Sequence, residues 1–105
     1  MVKKENSSYT EVIKSPLIIT GVARGKWFFE ASFPIILKDV NDIVIAKWYA
    51  TAEGEWMTKE FVPFKATLTF KKPENRNRGT LILQKNNASG LPEHDDVLEI
   101  PVIFE

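Results

Sequence analysis

The chain has 105 residues, 44% hydrophobic and 27% charged, the size and make-up of one ordinary globular domain. Fourteen basic residues balance fourteen acidic ones, so the chain has no basic surplus for nucleic acid and no basic cluster for an anionic membrane surface. With no cysteine, a disulfide framework and a thiolate metal site are both excluded, and the compartment stays open.

The opening MVKKENSSYT carries two lysines with no apolar run behind them, so it does not read as a signal peptide. Residues 1–11 are expected to form a loose polar lead-in, and residues 12–105 the folded domain. No stretch approaches the roughly 20 apolar residues of a membrane helix, so no membrane insertion by this domain is expected.

The first predicted strand is SPLIITG, with Leu17 and Ile19 inward after Pro16. Next comes WFFEASFPIIL. Its odd positions, Trp27, Phe29, Ala31, Phe33, Ile35 and Leu37, are all apolar. Side chains alternate across a strand, so this predicts one long strand with Phe28 and Glu30 on its outer face. Pro34 has no N–H to donate and predicts an edge, bulge or bend. In IVIAKWYATA the apolar face is Val44, Ala46, Trp48, Ala50 and Ala52, with Trp48 placed as a core tryptophan and Tyr49 outward.

A short strand is expected around Glu55–Met57. FVPFKATLTFKK then puts Val62, Phe64, Ala66, Leu68 and Phe70 inward and Phe61 outward. GTLILQK contributes Leu81 and Leu83, and VLEIPVIF contributes Leu98, Ile100, Val102 and Phe104. Turn residues cluster in ARGK, DVND, AEGE, KPENRNRG and NNASGLPEHDD. No window has a helical period. Six to seven short strands with such turns predict an all-β sandwich or barrel.

Four segments, in order, carry a family likeness: SPLIITGVARG, WFFEASFPIILKD, WMTKEFVPFKATLTF and NNASGLPEHDDVLEIPVIF. They cover residues 13–104 and resemble the immunoglobulin-like domain of bacterial spore-germination proteins, the second type of domain found beside GerMN domains. The matching positions are Ser15, Pro16 and Gly21; Trp27, Phe28, Phe29, Glu30 and Phe33; Trp56, Pro63 and Phe64; and Ser89, Gly90 and Leu91. Asn87-Ala88-Ser89 departs from the family's more frequent Asn-Pro-Ser, which bears on turn rigidity. The resemblance implies an immunoglobulin-like two-sheet sandwich in an extracellular or envelope-attached bacterial protein, with neighbouring domains as partners. It supplies no catalytic residues.

The residues themselves offer little chemistry. His94, the single histidine, lies near Ser89 in a Pro-Glu-His-Asp-Asp loop and reads as part of a solvated turn rather than a triad. Glu93, His94, Asp95 and Asp96 are metal-type donors, but adjacent residues converge on an ion only with help, here from Asp39 and Asp42. No metal and no cofactor is expected. Glu30 reads as an outward strand residue paired with a Lys or Arg, or hydrogen-bonded to a neighbouring loop. A small sandwich without long loops has little room for a catalytic cleft, so no enzyme is expected.

Binding or spacing, the latter by presenting a neighbouring domain, is the better expectation. Phe28, Glu30, Trp56 and Phe61 form one candidate surface, and Ser89, Gly90, Glu93, His94 and Asp95 offer loop contacts. The partner is expected to be protein or cell-wall polysaccharide, not nucleic acid. Two alternatives stand beside this: a carbohydrate-binding module, requiring Trp56 and another aromatic coplanar on an exposed face, and an inhibitor of proteinases that inserts its loops into a cleft. The basic loop KKPENRNRG reads as a soluble hairpin tip.

Overall fold

The computed structural model describes residues 2–4, 11–73, 77–87 and 90–105; for Val2–Lys4, Glu11 and His94 only the backbone is described. Among these residues are eight strands: β1 (Val2–Lys4), β2 (Glu11–Ile13), β3 (Leu17–Arg24), β4 (Ser32–Asp39), β5 (Val44–Ala52), β6 (Phe61–Leu68), β7 (Arg78–Gln84) and β8 (Val97–Phe104). The hydrogen-bonded order is β1-β3-β6-β5-β4-β7-β8-β2.

This ladder doubles over at β5. The strand pairs with β4 along most of its length but with β6 only at Thr51↔Lys65 and Ala52↔Phe64. One layer is therefore β1-β3-β6 and the other β5-β4-β7-β8-β2. The period-two faces predicted for β6, β7 and β8 point into the space between them: Val62, Phe64, Ala66, Leu68, Leu81, Leu83, Ile100, Val102 and Phe104 are buried. Ile19 and Ala23 from β3 and Phe33, Ile35 and Leu37 from β4 complete this core. Phe33 meets Phe64 across it, ring centroids 5.0 Å apart. The architecture is the all-β, immunoglobulin-like sandwich expected.

The ends of the chain seal the layers. β2 lies parallel to β8, and after Ser15–Pro16 the chain enters β3 in the other layer. The Ser15 hydroxyl accepts a hydrogen bond from the Phe70 N–H at 3.0 Å. β1 pairs antiparallel with β3. The described residues of the lead-in, 2–4 and 11, lie in the outer strands β1 and β2. Residues 55–57 form loop rather than strand.

WFFEASFPIIL is not one strand. Gly25–Trp27 forms a 3-10 turn, and the chain reverses between Phe29 and Ser32, which exchange N–H···O bonds of 2.9 and 3.2 Å. Glu30 and Ala31, the two residues inside the reversal, have φ of 51° and 66°. This doubling back sends Phe28 inward, 4% exposed, and leaves Phe29 46% exposed, the reverse of what simple alternation predicts. Asn86 anchors the reversal, its N–H donating to the Trp27 carbonyl at 2.9 Å and its side-chain amide to the Ser32 carbonyl at 3.3 Å.

Two successive left-handed residues favour Asn-Gly, not Glu-Ala. Glu30→Asn with Ala31→Gly is therefore expected to raise stability by about 1 kcal/mol. Urea unfolding of the double variant checks this. An unchanged or lower midpoint would mean that the left-handed pair carries no strain.

Candidate functional site

Of the predicted surface residues, Phe28 is withdrawn by burial. Its ring packs 5.3 Å from Phe33 as part of the core. Trp56 is half-buried and packs against the same core. Glu30 is exposed at the tip of the reversal. Phe61 holds the outer face of β6 half-covered, with the Arg24 guanidinium 4.0 Å from its ring centroid. The four residues do not make one surface.

The loop residues are brought together, but into a turn. Asn87 donates its amide to the Leu91 carbonyl at 2.8 Å and to the Asp95 carboxylate at 2.6 Å. Pro92–His94 is a single 3-10 turn. Gly90 and Glu93 are exposed; Ser89 lies outside the described residues, and so does the His94 side chain. Asp39 is engaged at home, its carboxylate accepting the N–H groups of Asn41 and Ile43 at 2.8 and 3.1 Å, while Asp42 pairs with Lys38 at 3.1 Å. Among the described residues, no three acidic or histidine side chains converge as a metal site would require.

The surface that the sequence did not announce is the outer edge of β5. The register Ile35↔Trp48 keeps Trp48 on the inward face, yet the indole is 59% exposed. The core position assigned to it is therefore wrong. The reason lies in the topology. β6 accompanies β5 only at Thr51 and Ala52, so the strand before them is an open edge that the facing layer does not cover. Tyr49 is also exposed, its ring 6.2 Å from that of Trp48 and tilted by 59°. Val40, Ile43 and Val44 extend the exposed apolar run towards the β4–β5 turn.

Among the described residues, no strand pairs with the β6-facing backbone of this edge either. Ala52 directs its N–H to the Ala31 carbonyl beside β4, and Glu53 directs its N–H to the Pro63 carbonyl of β6. By strand alternation the Tyr49 and Lys47 N–H groups point to the β6 side, where β6 has already diverged. The divergence opens a cleft of about 350 Å³ lined by Trp48, Tyr49, Thr51, Glu53, Lys65 and Thr67, among others. On the other flank the ladder to β4 carries a bulge at Ile45, between the pairs Leu37↔Ala46 and Lys38↔Val44. Backbone donors, an indole and a phenol thus face solvent together.

A family model described as the immunoglobulin-like domain of bacterial spore germination matches residues 8–90. The chain belongs to this family. Trp27, Phe33, Pro63 and Phe64, which carry the family likeness, are core or strand positions, so the match reports the fold and leaves the β5 edge unassigned. No curated protein and no solved structure matches the chain. The family is not one known for catalysis. Among the described residues, no helix is long and apolar enough to cross a membrane.

Proposed function

We propose that this is a non-catalytic docking domain of a bacterial envelope or exported protein, and that it binds an extended segment of a protein partner along the open edge of β5. One observation supports this reading: among the described residues, no strand pairs with the β6-facing side of β5 before Thr51, and Trp48 and Tyr49 are exposed there. An added strand would gain main-chain hydrogen bonds from the edge and side-chain anchoring from the aromatics. Neighbouring domains of a larger polypeptide are natural sources of such a segment.

The two alternatives fare less well. A glycan-stacking platform needs coplanar exposed rings; Trp56 is half-buried, and Trp48 and Tyr49 are tilted by 59°. An inhibitor of proteinases needs several projecting loops, and residues 86–96 supply one, cross-braced by Asn87.

The test is selection of random extended peptides against the domain, with the Trp48→Ala variant as counter-target and purified peptidoglycan as a separate ligand. Trp48→Ala should change folding stability by no more than about 0.5 kcal/mol, because the indole is exposed. It should weaken selected peptides by about 2 kcal/mol, the loss typical of an aromatic anchor. Peptides binding the variant equally well would sink the edge reading. Saturable binding of peptidoglycan alone, lost in the variant, would replace it with the carbohydrate module.

A further inference from the structure

We infer a second binding site, for a phosphate group, in the pocket between the end of β3 and the loop that enters β6. The pocket has a volume of about 370 Å³ and is lined by Arg24, Lys26, Thr58 and Lys59. Among the described residues that line it, Arg24, Lys26 and Lys59 are cationic, in a chain whose net charge is zero.

Their placement is built into the fold. Gly25 lies directly beneath the backbone of Trp56 and Thr58, so the loop rests on the 3-10 turn that bears Lys26. The Gly25 N–H donates to the Glu60 carbonyl at 3.2 Å and ties the loop down. Arg24 is held twice, its guanidinium donating to the Lys59 carbonyl at 3.2 Å and lying over the Phe61 ring at 4.0 Å. A guanidinium has five N–H donors, so most of the fork remains for a ligand. Thr58 Oγ1 accepts the Glu60 N–H at 3.2 Å, which leaves the hydroxyl hydrogen to donate.

Among the described residues the opposing charge is slight. Glu60 approaches Arg24 only to 4.0 Å, and its side chain is 84% exposed. Among the described residues, neither Lys26 nor Lys59 has a carboxylate within ion-pair distance. A planar fork, two mobile ammonium groups and a hydroxyl are the donors that a phosphate oxygen cluster takes up. The group is borne either by a small phosphorylated molecule or by a phosphodiester-linked polymer. This site uses none of the β5 side chains and stands independently of the docking edge.

The test is a backbone amide NMR titration of the folded domain at constant ionic strength, with inorganic phosphate and with a poly(glycerol phosphate) chain as probes. Saturable shifts confined to residues 24–26 and 58–60 are expected. The double variant Lys26→Gln/Lys59→Gln, both exposed positions, should keep its melting temperature and lose affinity at least about tenfold. Stronger binding of the polymer per phosphate assigns the site to a phosphodiester chain; equal binding assigns it to a small molecule. Shifts that never saturate, that spread equally to Lys14 and Lys71, or that persist unchanged in the double variant would overturn the site.

Discussion

Replacing Phe33 by alanine is expected to lower the free energy of unfolding by about 3–5 kcal/mol. Phe33 is fully buried, and its ring meets three others: Trp27 at 5.5 Å, Phe28 at 5.3 Å and Phe64 at 5.0 Å between centroids. Phe64 belongs to the facing layer, so Phe33 is where the reversal at 29–32, β4 and β6 share one contact. The cavity left by the ring cannot close without moving two layers that are hydrogen-bonded through β5. A domain of this size has only about 5–15 kcal/mol in hand, so the loss is a large fraction of the total. Urea and thermal unfolding followed by circular dichroism give the value. The half-covered Phe61, changed in the same way, should cost about 1 kcal/mol. A Phe33→Ala loss no larger than that of Phe61→Ala would contradict the packing described.

Gly25→Ala is expected to cost about 3 kcal/mol, although it adds a single methyl group. A Cβ at this position would run into the carbonyl oxygens of Thr58 and Trp56, both backbone atoms. Neither can rotate away as a side-chain tip would. The hydrogen bond from Gly25 to Glu60 keeps the loop from lifting. The requirement is one of space, not of backbone angle, and Gly90 provides the contrast. There φ is +72° and a Cβ would meet nothing within 4 Å, so Gly90→Ala should cost only about 1 kcal/mol. Differential scanning calorimetry of both variants separates the two causes. Equal losses would mean that the loop at 56–60 yields easily, and the pocket at Arg24 would then lack a fixed wall.

Much of the fold was legible because a strand's period is two. In β6, β7 and β8 every inward position assigned by alternation is buried, apart from the half-covered Leu98 at the start of β8. Pro34, which suggests an edge, bulge or bend, pairs with Tyr49 on one side and has no β7 partner on the other, where the register begins at Ile35; the bulge itself lies at Leu37/Lys38. The reversal at Glu30–Ala31 was not legible, because the left-handed pair lacks the glycine or asparagine that marks such turns. Alternation, carried across it, misplaced Phe28 and Phe29 together.

Trp48 shows a different limit. Its face was correctly read, but burial depends on which strand lies beyond, and a period has no information on neighbours. The open β5 edge is a fact of topology, created where β6 parts from β5 after two paired residues. The pocket at Arg24 is likewise assembled across a long sequence separation. Lys26 sits in a segment read as a turn and Lys59 lies between the expected strands around Glu55–Met57 and from Phe61, and the seating of the loop on Gly25 brings them to one pocket. Of the four predicted surface residues, Phe28 is drawn into the core by the reversal and Trp56 is half-buried against the core, neither of which a strand period encodes.

Two surfaces result, one apolar with free backbone donors, the other cationic. The first carries the proposed function. The measurement that tests it most directly is amide hydrogen exchange, residue by residue, on the free monomeric domain and on its complex with a selected peptide. The account predicts that the Lys47 and Tyr49 amides exchange far faster than those of Trp48 and Ala50 in the free domain, and that both become protected when the peptide binds. Lys47 and Tyr49 amides already as slow as their neighbours, or unchanged by a bound peptide, would contradict an open and receptive β5 edge.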